Sequence, residues 1–549
     1  MPPKPIPGHG QGPAPPSGHG PAPPPGHGPA PPPGHGPAPP PGHGPAPPPG
    51  HGPAPPPGPP PGHGPAPPPG HGPAPPPGHG PAPPPGHGDI LSGLPKKTQS
   101  YFFFQITNVT SFRSQLLQVA PLVTTVAQVL KDRKAIEDHK KKGNTTLLTM
   151  VGVNIAFSHK GLATIGIDDS NLTSDNNFLI GQKADAQSLG DKGTGDGANF
   201  VPDWDPAFLK DIHGVFLISG DSHGTVNKRL DQVKNIFFVG SSKASIKEVT
   251  TIVGDVRPGK LSAHEHFGFL DGISNPSIIG FDNNPNPGPK PVPAGVLVTG
   301  HEGDPATTPR PEWAVDGSFF VFRYLFQNVP EFDEYLKANP VPVPGLTREE
   351  GSELLGARLV GRWKSGAPID LAPFKDDPEL AADPKRNNNF HFAAERDFQK
   401  NCPFAAHVRK TNPRDDLEAL TPPISTQKNR IARRGVQFGP EVTKEEKQSG
   451  KTSHGRGLLF ACYQTSITDA FAFIQKSWAN NATFPIGEQA PEVPGLDPLI
   501  GQGDRKLSGT DPNNPAKELT MPDFVISRGG EYFFSPSLKG LKKTLAIAP

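Results

Sequence analysis

The sequence predicts an α+β protein: two related sheets with their helices, preceded by a tail that has nothing to bury. Three observations carry this. Stretches with the two-residue period of strands alternate with stretches of helical period. Two aromatic strand openings, YFFFQITNV from Tyr101 and SFFVFRYLFQNV from Ser318, start 217 positions apart and read as two copies of one pattern. The first 88 residues are a low-complexity repeat.

In the tail, 1–88, the unit GHGPAPPP places His19, His27, His35, His43 and His51 eight apart, then His63, His71, His79 and His87 after a four-residue insertion. It holds 42 of the chain's 78 prolines, and Lys4 is its only charged residue. With no large apolar side chain except Met1 and Ile6, it is expected to stay extended, mixing polyproline II with glycine hinges. One unit then spans up to about 25 Å, so neighbouring histidines share a metal only if the hinges fold back. A solvated spacer is the first expectation, and a scaffold or metal-buffering segment the second.

The folded part reads as follows. After a linker at 89–97 come a strand at 101–109 and a helix over 111–142, whose Leu116, Val119, Val123, Val126 and Leu130 keep the helical period and whose Pro121 breaks or kinks it. Strands follow at 147–157 and 214–220, a helix at 225–237 and a strand at 248–256. The stretch 281–293, FDNNPNPGPKPVP, has the composition of a linker. Beyond the strand opening at Ser318, helices are expected at 332–338, 348–363 and 468–480, with a strand at 457–465. The expected division is a first α+β domain at 89–285 and a second at 286–549.

A formal net charge of +1 gives no pull towards nucleic acid. Phosphate-binding and RNA-binding signatures are missing. Cys402 and Cys462, the only cysteines, exclude a disulfide framework and a cysteine-based zinc site, and nothing argues for a bridge between them. The opening MPPKPIPGHG has no basic stretch followed by an apolar one. No run reaches membrane-spanning length. The expectation is a chain off the membrane and without a secretory signal, cytoplasmic by default, with unconventional export and homo-oligomerisation left open.

The run 402–414, CPFAAHVRKTNPR, sets His407 in an apolar segment and follows it with Arg409, Lys410 and Arg414. A buried imidazole with nearby cations suits a large, flat, apolar ligand with acidic edges. Haem is such a ligand, since its iron needs an axial donor and its propionates need basic partners. A ferric haem that activates peroxide also needs a base to move a proton between the peroxide oxygens, a cation facing the charge that develops, and a carboxylate behind the axial imidazole. Asp271, wedged in GFLDG at 268–272, is either that base or a turn residue bonding nearby amides beside a positive-φ Gly272. Arg433 and Arg434 are adjacent on a strand, so one can point inward while the other meets solvent. Asp497, in GLDPLIGQ, is a candidate for the carboxylate. His264 and His266 in SAHEHFG can share a strand face, but two ligands without a third make a weak metal site.

Taken in order, GFLDG, AAHVRKTNPR, RRG, LLFACYQ, FIQKSWANN and GLDPLIGQ resemble the dye-decolorising peroxidases, the fungal branch in particular, over essentially all of 98–549. The resemblance implies two ferredoxin-like domains enclosing haem b (iron protoporphyrin IX). It implies His407 as the iron ligand, Asp271 as the distal acid-base residue and Arg433 as the distal arginine, with Arg434 the alternative. It further implies Arg414 at a propionate, Leu458 and Phe460 as the apolar wall controlling peroxide access, and Asp497 behind His407. Trp478 resembles a surface tryptophan that passes electrons from bulky donors; its other reading is a packed helix residue. Phe438 stands where some relatives carry a redox-active tyrosine. The implied activity is oxidation of dyes, phenols and other aromatic donors by hydrogen peroxide, in one-electron steps through a high-valent iron intermediate. A haem-handling protein is the alternative, though storage needs neither base nor cation above the iron.

Overall fold

The computed structural model describes residues 87–547 apart from 173–174, 486–492 and 504. The predicted tail therefore lies outside the described residues, except for its last two.

Nine strands make one antiparallel sheet in two similar halves. In the first, β1 (Thr98–Ile106), β2 (Val151–Phe157), β3 (Gly214–Gly220) and β4 (Ile246–Asp255) run in the order β4-β1-β3-β2. In the second, β5 (Ser318–Gln327), β6 (Ala432–Arg433), β7 (Val436–Phe438), β8 (Gly457–Gln464) and β9 (Val525–Ser535) run in the order β9-β5-β8, with β6 and β7 both paired to β8. The two aromatic openings, β1 and β5, occupy equivalent places. The halves meet where β2 pairs with β9 at Phe157 and Phe534. At the other edge β4 lies against β7, so closely that a Cβ at Gly254 would collide with Val436.

Alternation along the strands sorts the aromatics between two spaces. Tyr101 and Phe103 meet Phe320, Phe322, Tyr463 and Phe533 in one core inside the curved sheet. Phe102 and Phe104 face outward onto helix α1 (Val109–Val119); α2 (Val126–Lys141) puts Val126 into the inner core instead, and α3 (His223–Ile236) adds Val226, Leu230 and Val233 to the outer one. The single helix expected at 111–142 is two. Pro121 sits in a 3₁₀ turn, Ala120–Leu122, and Thr125 caps the next helix by accepting the Gln128 amide at 3.2 Å. On the second half, α4 (Val329–Ala338) and α5 (Arg348–Val360) cover the outer face.

Strand β9 has no counterpart in the sequence reading, because SRGGE at its centre looks like a turn. The sheet absorbs that stretch as a register shift against β5 between Ser527 and Gly530. GFLDG, expected in the first domain, packs on the second half: Phe267 and Phe269 lie 4.4 and 6.4 Å from the Phe332 ring of α4.

The linker expected at 89–97 is also part of the fold. Gly88–Leu91 forms one buried helical turn. His87 is fully buried and bonds Asn154 and Ser535 where the halves join, and burial lowers its pKa to about 4. Arg434 ties this turn down, donating to the carbonyls of Asp89, Ile90 and Leu91 at 2.7, 2.8 and 2.9 Å. Arg434→Leu removes a shared donor from three carbonyls, so a loss of roughly 1–3 kcal/mol is expected. Denaturant melting should show it, and an unchanged midpoint would contradict the tether.

Candidate active site

Between the outer face of the second half-sheet and its helices lies a cavity of about 290 Å³. Odd-numbered residues of β5 (Arg323, Leu325, Gln327) and Leu458 and Phe460 of β8 form its floor. Val360, Ile474 and Val525 add apolar wall. All of its lining residues come after β4.

His407 opens the short helix α6 (His407–Thr411) and lines the cavity. Its approach depends on Gly361, which ends α5 at φ 92°; a Cβ there would sit 2.9 Å from Val408. His407 Nδ1 lies 2.8 Å from Oδ2 of the fully buried Asp497, whose Oδ1 accepts the amides of Leu499 and Ile500 at 2.8 and 2.9 Å. Burial disfavours the imidazolium, but the Asp497 carboxylate outweighs it and raises the His407 pKa. With Nδ1 engaged, Nε2 is the nitrogen left for a ligand.

The same cavity holds Asp271 and Arg433. Asp271 Oδ1 accepts both the Gly272 amide and Arg433 Nη1 at 2.6 Å, which leaves Oδ2 for a proton. Asp271 thus bonds a nearby amide as a turn residue does, and it also lines the cavity. Gly272 takes φ 82°. Half-buried Glu265 shapes the loop by accepting the amides of Phe267 and Phe269, each at 2.9 Å, and Gln327 Nε2 at 2.6 Å. Burial would raise the Asp271 pKa; the Arg433 charge and hydrogen bond outweigh that and lower it. Arg433 is positioned by β6, and Asn275 Oδ1 accepts its backbone amide at 2.8 Å. The two arginines take different directions: Arg433 lines the cavity, and Arg434 clamps the N-terminal turn.

The cations beside His407 do not reach the cavity wall. Arg409 forms a bidentate pair with Asp416 at 2.7 and 2.8 Å, and Lys410 donates to the carbonyls of Asn481 and Phe484. Arg414 donates to the Asn388 and Phe390 carbonyls, both at 3.0 Å, and lies on the Phe390 ring. The cavity's cations are instead Arg362 and Arg430, together with Arg323, Arg433 and Lys290. Arg362 donates only to neutral oxygens of Gly366, Asn387 and Asn388, and Arg430 to Asn412 and Thr426, with Glu418 3.9 Å away. Sequence reasoning missed both arginines, although Arg430 stands three residues before Arg433.

Trp478 is only 4% exposed, stacked on Phe484 at 5.2 Å and edge-on to Phe473 at 5.4 Å. It sits one turn after the cavity residues Ile474 and Gln475. Phe438 is buried against Tyr324 and Phe326. His266 Nε2 bonds the Phe438 carbonyl at 2.9 Å, and no group of three His, Cys, Asp or Glu fit to hold a bare metal ion occurs among the described residues. Cys402 and Cys462 are free and buried.

Comparison with known proteins bears on this arrangement. Residues 87–258 match the family described as "DyP dimeric alpha+beta barrel domain", and 263–484 match "Dyp-type peroxidase, C-terminal". A dye-decolorizing peroxidase of Mycena epipterygia is 42% identical over 484 residues, covering 83% of this chain and 86% of that protein. A variant of the dye-decolorizing peroxidase from Pleurotus ostreatus superposes with a TM-score of 0.81 at 54% identity, over 84% of this chain and 99% of that one. A dye-decolorizing peroxidase in complex with 2,6-dimethoxyphenol gives 0.75 at 43% identity, with the same coverage.

If Asp497 sets the state of His407, Asp497→Asn removes the charge that favours the imidazolium while burial remains. The His407 pKa in the ligand-free protein should then fall, as ring resonances followed by NMR titration would show. A pKa left where it was would contradict the coupling.

Proposed function

The chain belongs to the dye-decolorising peroxidase family, and from that membership and the cavity's residues we propose that haem b lies in the cavity with its iron on His407 Nε2. The protein is a haem-dependent peroxidase of dyes and phenolic aromatics. The donor set fits the group: one imidazole with a carboxylate behind it, apolar walls, and the Arg362 and Arg430 guanidiniums, held by neutral oxygens, for the propionates. Arg414, beside Arg362 and sharing Asn388 Oδ1 with it, braces that wall.

When bound, haem supplies the iron at which peroxide is reduced and the oxidising equivalents returned to aromatic donors. The chain's own residues manage protons and charge. Asp271, kept ionised by Arg433, takes a peroxide proton on Oδ2 and delivers it to the departing oxygen, which leaves as water. The Arg433 guanidinium faces the negative charge that develops as the O–O bond breaks. Asp497 holds the His407 ring and increases its electron donation. Leu458 and Phe460 keep the space apolar and narrow. Trp478, one turn from the cavity wall, relays electrons from donors too large to enter. The observation that carries this reading is the 2.6 Å Asp271 to Arg433 pair in the same cavity as a carboxylate-backed imidazole.

Asp271→Asn should keep the haem absorption band yet slow peroxide reduction about 100-fold or more in stopped flow; an unchanged rate would remove Asp271 from the reaction. Arg433→Leu removes the largest contributions opposing burial and leaves only the Gly272 amide and the His407 charge, so the Asp271 pKa rises and less carboxylate is present at a given pH. The acid limb of the peroxide reaction should move to higher pH, and an acid limb that stays in place would contradict the pairing.

A further inference from the structure

Arg433 sits on a part of the sheet where the backbone is least held. Its strand β6 lies at the end of the sheet and pairs only with β8, where Arg433 stands opposite Cys462. Along an antiparallel pair, successive residues alternate between bonding the partner strand and facing away from it. Arg434 bonds β8, its amide donating to the Ala461 carbonyl at 2.7 Å, so the N–H and C=O of Arg433 face the open edge. Side chains cap both groups there. Asn275 Oδ1 accepts the amide at 2.8 Å, and Arg434 Nη1 donates to the carbonyl at 2.9 Å.

The two caps have different anchors. Asn275 belongs to the loop that carries Asp271, and the neighbouring Ser274 carbonyl also accepts Arg433 Nη2 at 3.3 Å. Arg434 is anchored away from the cavity. Its other nitrogens donate to the Asp89, Ile90 and Leu91 carbonyls of the N-terminal turn, and a Cβ at Gly93 would come within 3.0 Å of its Cδ. The Arg434 carbonyl in turn accepts Lys96 Nζ, which also donates to Gln99 Oε1 at 2.8 Å. One guanidinium therefore joins the N-terminal turn to the carbonyl of the residue that pairs with Asp271. Arg433 holds Asp271 Oδ1 by a 2.6 Å bond, so a small shift of its backbone lengthens the contact that keeps Asp271 ionised.

We propose that Arg434 is a positioning residue for the peroxide reaction: braced on the N-terminal turn, it fixes the Arg433 backbone and so sets the contact between Arg433 and Asp271. The inference rests on the reading of Asp271 as the base and Arg433 as its cation. Arg434 does not line the cavity and moves no proton; its effect is carried by where it holds its neighbour. Without it the Arg433 carbonyl loses its cap and the edge strand its attachment to the turn. Arg433 then draws back from Asp271, and burial raises the pKa of that carboxyl.

The test compares Arg434→Leu, Arg434→Lys and Leu230→Ala by two measurements. One is the Asp271 carboxyl titration in the ligand-free protein, followed by carbon-13 NMR and identified by the signal missing in Asp271→Asn. The other is the acid limb of the peroxide reaction in haem-loaded protein. Arg434→Leu should move both to higher pH by about half a unit or more. Arg434→Lys should move them nearly as far, because an ammonium keeps the charge but cannot span four carbonyls; it carries the test if the leucine variant fails to fold. Leu230→Ala removes core packing from α3, and should lower stability while moving neither. A titration that stays in place in both Arg434 variants, that moves only in Arg434→Leu, or that moves as far in Leu230→Ala overturns the positioning. If the titration moves and the acid limb does not, Arg434 still holds the pair but Asp271 is not the base, and the reading beneath the proposal falls.

Discussion

The site depends on one constraint: the strands of the second half are apolar on both faces. One face fills the core inside the sheet, and the other is the floor of the cavity. In β8, Leu459, Ala461 and Tyr463 point into the core while Leu458 and Phe460 line the cavity. In β5, Phe320 and Phe322 alternate with Arg323 and Leu325 in the same way. A slip of one residue would carry Arg323 into the core and take the cavity wall with it, so the register is strongly specified. Strands buried on both faces read as unbroken apolar runs, which is why the two aromatic openings stand out.

Around that cavity the chain uses two carboxylates, half-buried Asp271 and fully buried Asp497, in different ways. Burial pushes the pKa of Asp271 and Asp497 upward, and in each case a nearby cation or imidazole with hydrogen bonds reverses the shift. Asp497 has both oxygens engaged, Oδ2 by His407 and Oδ1 by two amides, and so acts as a fixed orienting charge. Asp271 has its bonds concentrated on Oδ1, so Oδ2 can accept and release a proton. The same side chain thus becomes a strut in one place and a base in the other.

What the sequence made legible follows from the range of the forces involved. Local features were readable: the Pro121 break, the strand openings, and GFLDG as a turn. The pairing of His407 with Asp497, ninety positions apart, could be reached only through family resemblance, because nothing local marks it. The basic run after His407 misled for a physical reason, since Asp416, two residues beyond Arg414, captures Arg409 and backbone carbonyls take Lys410 and Arg414. Strand β9 was hidden by its glycine pair, and the N-terminal turn by its place at the end of a repeat. Which of Arg433 and Arg434 enters the cavity was undecidable until the partner of each was known.

The most direct measurement is an X-ray structure of the haem-loaded protein. The account predicts iron bonded to His407 Nε2, Asp497 still on Nδ1, propionates at Arg362 and Arg430, and Asp271 with Arg433 on the face of the haem away from His407. Iron held by another side chain, or Asp271 and Arg433 on the His407 side, would contradict it.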